Sequence, residues 1–292
     1  MLDAPFATET FAFEYPRVLS IAGSDSGGGA GLQADLKTFA ALGCFGMTAI
    51  TALTAQNTTG VRAIHGVPPQ MLRDQIDAVV EDIGVHAVKV GMLHSVEIVD
   101  AVAQSIQRHA LPHVVLDPVM IATSGAVLID SPAIAALVKQ LFPLATLVTP
   151  NLDEAALLVG HKLESEQAME AAAMTLLGQG AKAVLLKGGH MAGDVVSDFF
   201  VMSSVGAHPS HQSHWLRAPR IPSANTHGTG CTLSSAIAAH LALGATLLEA
   251  VQGAHCFVRA ALEAGANVRT GKGSGPLNHG AAPRVMVLKP LR

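Results

Sequence analysis

Short apolar runs alternate with longer helical patterns along almost the whole chain, and this rhythm limits the fold to one class. Residues 18–22 read as a buried strand ending at Gly23. Leu32, Leu36, Phe39 and Ala40 then recur at helical spacing, which predicts a helix over 32–42. Residues 47–51 give the next strand. A helix over 69–83 follows, with Pro69 in its first turn and Met71, Leu72, Ile76, Val79 and Val80 as its apolar stripe. The runs at 87–90, 114–116, 146–148 and 183–186 continue the strands, and the patterns at 96–109, 132–141, 153–159 and 166–177 continue the helices. Residues 195–201 and 214–218 suit an antiparallel pair, and helices over 231–243 and 247–263 follow. Alternating units of this kind build a three-layer α/β/α sandwich on a mostly parallel sheet, with right-handed crossovers. Ligands then bind beyond the carboxyl ends of the strands. Gly23, Gln56, Gly91, Asp117, Asn151 and Lys187 all stand just past an apolar run.

Half of the 292 residues are apolar and 14% are charged, so a large core is available. A net charge of −4 gives no basic field for nucleic acid or anionic lipid, and the scarcity of aromatics argues against a stacking platform for single strands. No apolar run is long enough to span a membrane. Cys44, Cys231 and Cys256 are widely spaced and odd in number, which suits a reducing, cytoplasmic setting rather than disulfides or structural zinc. The fourteen histidines form no ligand-like cluster. Residues 1–16 carry acids but no Lys or Arg, unlike a targeting peptide, and read as a loose extension; residues 17–292 read as one domain. The polar stretch 206–213 reads as a mobile loop.

Four segments carry chemistry. Between the first strand and helix lie five glycines in nine residues, from Gly23 to Gly31. Glycine lets backbone N–H groups approach a ligand at a helix start, although a flexible turn is the bland alternative. The spacing fits neither a Walker A loop nor a dinucleotide fingerprint. Asn225-Thr226-His227-Gly228-Thr229-Gly230-Cys231 precedes a helix whose free N–H groups and dipole suit a phosphoryl group in transfer, unless Thr229 merely caps it. Asn151-Leu152-Asp153-Glu154 follows a strand and could hold Mg²⁺ through waters, although acids in a first helical turn are favourable without a ligand. Lys187, before two glycines, can place an ammonium on phosphates or simply be solvated. Asp117 adds a carboxylate on the same sheet edge, or caps the next segment.

Together these segments resemble the ribokinase superfamily, and within it the hydroxymethylpyrimidine/phosphomethylpyrimidine kinases of thiamine biosynthesis. The stretches that carry the resemblance run in order: Gly28 to Thr38 (GGAGLQADLKT), Thr54 to Thr58 (TAQNT), Lys89 to Leu93 (KVGML), Asp117 to Met120 (DPVM), Thr149 to Ala155 (TPNLDEA), Leu186 to His190 (LKGGH) and Asn225 to Cys231 (NTHGTGC). The resemblance implies a ribokinase-like fold, ATP and Mg²⁺ as cofactors, a homodimer, and two successive phosphorylations of an aminopyrimidine. It implies that Gln56 bonds the aminopyrimidine, an amide having both a donor and an acceptor to offer. It places Gly23, Ala30, Thr54, Met92 and Val119 around the ring and Asp35 near the phosphoryl acceptor. Asn151, Glu154, Lys187, Thr226, Thr229 and the turn from Gly228 to Gly230 fall on the nucleotide side, with Asp117 and Glu154 as metal ligands. The wider superfamily usually has an aspartate general base where this chain, like the pyrimidine kinases, has Cys231.

At a helix N-terminus the Cys231 thiol pKa is expected to fall, leaving a thiolate to accept or orient the proton of the attacking hydroxyl; packing against the ring is the alternative. A pyridoxal or pyridoxine kinase is the nearest rival. A non-catalytic binding protein on the same fold is a third reading, against which the retained Lys187, Glu154 and Gly228-Thr229-Gly230 argue.

Overall fold

The computed structural model describes residues 11–121, 129–203 and 210–291. Its strands are β1 (Phe13–Glu14), β2 (Arg17–Ala22), β3 (Phe45–Ile50), β4 (Ala52–Asn57), β5 (Gly60–Gly66), β6 (Ala87–Val90), β7 (Val114–Leu116), β8 (Leu147–Val148), β9 (Ala183–Leu186), β10 (Val195–Ser203), β11 (His211–Pro219) and β12 (Lys289–Pro290). Its helices are α1 (Gly31–Ala41), α2 (Pro69–Asp82), α3 (Val96–Arg108), α4 (Ser131–Leu141), α5 (Leu152–Val159), α6 (Glu166–Gly178), α7 (Thr229–Ala242) and α8 (Leu247–Gly265).

Eight strands form the main sheet in the order β11-β10-β9-β8-β7-β6-β2-β3. From β3 to β9 every pairing is parallel, and β10 and β11 add an antiparallel edge. The central strands are buried on both faces and alternate between two cores. Leu19, Ile21, Val88 and Val90 join residues of α2, α3, α4 and α6 in one; Val18, Ala87, Val115, Leu147, Leu185 and Phe200 join α7, α8 and Phe39 of α1 in the other. Two-sided burial is why these strands read as continuous apolar runs. Caps fix several helix starts: Ser95 on α3, Asp130 on α4, Ser165 on α6, and capping boxes Asn151/Glu154 on α5 and Thr246/Glu249 on α8.

Two sequence expectations need correction, and one element went unassigned in the sequence. That element is a separate two-stranded hairpin of β4 and β5, with Thr54 and Gln56 on β4. Its signal is hidden because the exposed positions, Leu53 and Ala55, are apolar while buried Thr54 is polar, which inverts the usual alternation of a half-buried strand. The expected loop at 206–213 lies partly outside the described residues, and His211, Gln212 and Ser213 belong to β11, paired with Ser203, Met202 and Val201. The extension is tied down where it is described, Phe13 pairing with Pro290 and Glu14 with Lys289. No helix among the described residues is long and apolar enough to cross a membrane.

Candidate active site

Beyond the carboxyl ends of the parallel strands opens a cavity of about 690 Å³, within the range of small-molecule sites. The residues expected on its wall come from across the chain: Gly23, Ala30, Thr54, Gln56, Met92, Val119, Asp117, Asn151, Glu154, Lys187, Thr226, Gly228, Thr229, Gly230 and Cys231. Asp35 is the exception. It is fully buried and does not line the cavity. Its carboxylate lies beneath the floor, accepting from Lys89 Nζ at 2.8 and 3.0 Å and from the hydroxyls of Ser20 (2.5 Å) and Ser235 (2.7 Å). The placement near the phosphoryl acceptor is therefore corrected: Asp35 anchors a buried lysine that sequence reasoning did not single out.

One side of the cavity is built for anions. The β9 strand ends at Lys187, whose Nζ lies 2.8 Å from Asp117 Oδ1 at the end of β7. Thr149 also donates to Asp117, at 3.0 Å. Burial pulls the Asp117 carboxyl upward, but Lys187 and then Lys89 hold it below its ordinary value. Burial likewise disfavours the Lys187 ammonium, yet Asp117 and Glu154 hold its pKa above the ordinary lysine value. Glu154 is buried and pushed up to about 7 by desolvation, with Lys187 opposing and Asp117 reinforcing the rise. Its carboxylate accepts from the Asn151 and Met120 backbone N–H groups.

Helix α7 opens onto the same wall without a side-chain cap. Gly228 precedes it at φ +83°, and a Cβ there would strike the Gly29 carbonyl oxygen at 1.9 Å, so only glycine fits. Thr229 does not cap the helix; its hydroxyl donates to Thr226 O at 2.7 Å. The Thr229 N–H donates to Thr226 O at 3.2 Å, which leaves the first-turn N–H groups of Gly230 and Cys231 on the cavity wall, where a helix start favours negative charge.

Cys231, half-buried in that first turn, departs from expectation. Burial pushes its thiol up to about 11; Lys89 and the Gly31 N–H oppose this, and Asp35 and Asp117 reinforce it. Desolvation is the largest influence on this thiol, so at neutral pH Cys231 is a thiol, not the expected thiolate. At pH 8, peptide mapping should find alkylation of Cys231 at least ~10-fold slower than that of exposed Cys256. Equal rates would contradict the raised pKa.

The glycine-rich loop also differs from its expected role. The N–H groups of Gly27, Gly29 and Ala30 point to the Asp25 carboxylate at 2.8, 3.0 and 2.9 Å rather than into the cavity. Asp25 Oδ2 lies 2.8 Å from His227 Nε2. Burial alone would raise the Asp25 pKa, but His227 and the backbone donors hold it below the usual carboxylate range. Gln56 completes this end, its Nε2 3.5 Å from His227 Nε2 and its Oε1 3.2 Å from Thr54 Oγ1. Asp25 lies in the glycine-rich segment and His227 in the quoted stretch Asn225 to Cys231, but their contact joins residues 202 positions apart and left no local signal.

At the other end the wall becomes apolar, with Val196, Ile221, Val258 and Leu262 around His255 and Asp198. These residues come from β10, α8 and the turn after β11, and none formed a motif. Away from the cavity, His109 does meet acids, Asp77 at 2.7 Å beside Glu81, but Arg108 bonds both carboxylates.

The polar wall around Gln56 and the lysine-lined wall thus share one cavity. The phosphomethylpyrimidine kinase family model matches residues 25–278. The chain is 48% identical over 262 residues to the hydroxymethylpyrimidine/phosphomethylpyrimidine kinase of Rhizobium meliloti, covering 89% of this chain and 96% of that protein. It is 50% identical over 268 residues to the thiamine biosynthesis bifunctional protein ThiED of Geobacter sulfurreducens, covering 91% of this chain but spanning about half, 53%, of that longer protein. Among solved structures, an ADP complex of Bacillus subtilis pyridoxal kinase superposes with a TM-score of 0.82 at 35% identity, over 92% of this chain and 98% of that one. The matched span holds every wall residue from Asp25 to Leu262, and with it the chain belongs to the phosphomethylpyrimidine kinase family.

Proposed function

We propose that the protein transfers the γ-phosphate of ATP to the hydroxymethyl group of 4-amino-5-hydroxymethyl-2-methylpyrimidine, and then phosphorylates the product to the pyrophosphate. The observation that carries this reading is the shared cavity, whose wall holds Gln56 together with Lys187, Asp117 and the open start of α7. The ring lies against Gly23, Ala30, Thr54, Met92 and Val119. The apolar slot of Val196, Ile221, Val258 and Leu262 takes the nucleotide base; that the Bacillus relative was solved with ADP supports a nucleotide as a ligand. The substrate hydroxyl attacks the γ-phosphorus, the bond to the β-bridging oxygen breaks, and ADP leaves. Lys187 and the α7 N–H groups hold the charge that accumulates on the transferring oxygens. Thr226, Thr229 and Asn151 fix the triphosphate in register.

Asp117 and Glu154 fit a divalent cation: they are hard oxygen donors on one wall, close enough for the Asp117 charge to raise the Glu154 pKa. They would hold Mg²⁺, in part through waters, and the ion would supply charge neutralisation of the phosphates. A homodimer and a cytoplasmic location belong to the same proposal; the free thiols of Cys44, Cys231 and Cys256 suit a reducing compartment.

Cys231, as a thiol, orients the attacking hydroxyl. The second acceptor, a phosphate, is already ionised. Cys231→Ala should therefore slow the first phosphorylation more than the second, and equal losses in product-resolved assays would reduce Cys231 to packing. ADP release with the pyrimidine and with pyridoxine, measured side by side, tests the substrate assignment. The fold shared with pyridoxal kinase makes pyridoxine the sharpest competitor. Turnover of pyridoxine alone would overturn the proposal.

A further inference from the structure

β9 ends at Leu186, and Lys187 leads into a turn over 188–193, of which Gly189 and His190 line the cavity. The peptide planes on both sides of the Lys187 Cα are anchored. The Lys187 N–H donates to Pro150 O at 2.8 Å. The Gly188 N–H donates to Asp198 Oδ1 on β10, also at 2.8 Å. Two fixed peptide planes set the direction in which the Lys187 side chain leaves the backbone. Gly188 is also pressed against β10: a Cβ there would strike Ser197 O at 2.0 Å. Asp198 is 6% exposed, and burial raises its pKa, with the Gly188 N–H opposing the rise. A carboxyl held in the wall at that cost needs a function. From the other side Arg220, which follows β11, gathers the carbonyls of the turn. Its Nε donates to Gly193 O at 2.8 Å, Nη1 to Gly189 O at 2.9 Å and Nη2 to Met191 O. Its backbone N–H donates to Asp194 O at 2.7 Å.

We propose that Asp198 and Arg220 are positioning residues for the phosphate donor: Asp198 aims the Lys187 ammonium through the Gly188 N–H, and Arg220 keeps the following turn folded along the cavity. The inference rests on the proposed function and adds what orients its lysine. Both residues act on the donor side, so their loss leaves recognition of the pyrimidine unchanged.

The test measures kcat and KM for ATP and for the pyrimidine, in each phosphorylation step, in Asp198→Ala, Asp198→Asn and Arg220→Lys. Asp198→Ala strands the buried Gly188 N–H. It should lower kcat/KM for ATP by roughly tenfold or more in both steps, with KM for the pyrimidine within about twofold of wild type. Asp198→Asn keeps an oxygen for the Gly188 N–H. Its own N–H turns toward His255 Nε2, 3.6 Å from the second Asp198 oxygen, which a neutral imidazole can accept. This variant should stay within about threefold of wild type. Arg220→Lys keeps the charge but loses the planar fork, and kcat/KM for ATP should fall by roughly fivefold or more. Binding of a non-hydrolysable ATP analogue, measured by calorimetry, should weaken in Asp198→Ala and Arg220→Lys and hold in Asp198→Asn. Thermal melting confirms that each variant is folded. Asp198→Asn as impaired as Asp198→Ala, or a rise in KM for both substrates alike, would overturn the inference and leave the kinase assignment intact. A wild type that binds the analogue but phosphorylates no pyrimidine would overturn the assignment, and binding of the analogue to the variants would still decide the roles of Asp198 and Arg220.

Discussion

Lys89→Met is expected to destabilise the protein by about 3–5 kcal/mol, read as a lower midpoint in urea at unchanged slope. Lys89 and Asp35 are both fully buried, and the ammonium reaches both carboxylate oxygens. Removing the cation strands a carboxylate whose remaining partners, Ser20 and Ser235, are neutral hydroxyls. Asp35 must then ionise without a counterion or take up a proton, and either costs folding free energy. The double variant Lys89→Met/Asp35→Asn removes both charges and leaves an amide oxygen for one serine hydroxyl and an amide N–H for the other to accept, so most of the stability should return. If the double variant is as unstable as the single one, the loss comes from packing around the lysine stem instead. The pair is not a simple gain for the wild type, since two charges were desolvated to form it. It does fix β2, β6, α1 and α7 in one register beneath the site, because its four side chains come from those four elements.

Much of this architecture was legible in the sequence. The parallel strands at Ala87–Val90, Val114–Leu116 and Ala183–Leu186 fall where their apolar runs stand, because a strand buried on both faces is apolar almost throughout, Lys89 being the one polar position in these three. Helix ends were readable where a cap marks them, as at Ser95 and Ser165. The hairpin of β4 and β5 was not readable as structure. Thr54, Gln56 and Asn57 are polar because they face a ligand cavity or a turn, and that chemistry masks the alternation of a strand. Cys231 was found but its charge state was misjudged: a helix start is visible in sequence, whereas the burial that opposes it comes from β2, β6 and β7 packing against α7. The roles of Asp25 and Lys89 were missed for the same reason, since each is defined by a partner far away in the chain.

Lys187→Met uses the same chemistry as Lys89→Met with the opposite division between stability and activity. Lys187 is 12% exposed where Lys89 is fully buried, and its ammonium stands on the cavity wall beside the open start of α7. It bonds Asp117 Oδ1 and lies 3.1 Å from where a Cβ on Gly230 would stand, so neither alanine nor a larger residue at 230 leaves that approach free. Removal of a preorganised donor from charge developing in a transition state costs about 10²–10³ in rate. Lys187→Met should therefore lower kcat/KM for ATP by about that factor in both phosphorylation steps, because both form the same kind of transferring phosphoryl group. This sets it apart from Cys231→Ala, whose effect should fall on the first step. Stability should also drop, since Asp117 loses its nearest cation; Lys89 still lowers the Asp117 pKa, which limits the loss. The double variant Lys187→Met/Asp117→Asn removes the stranded carboxylate and should regain stability, yet remain as inactive as Lys187→Met. Recovery of activity together with stability would mean that the lysine serves only to neutralise Asp117, and that the transferring phosphoryl is held by the α7 backbone alone.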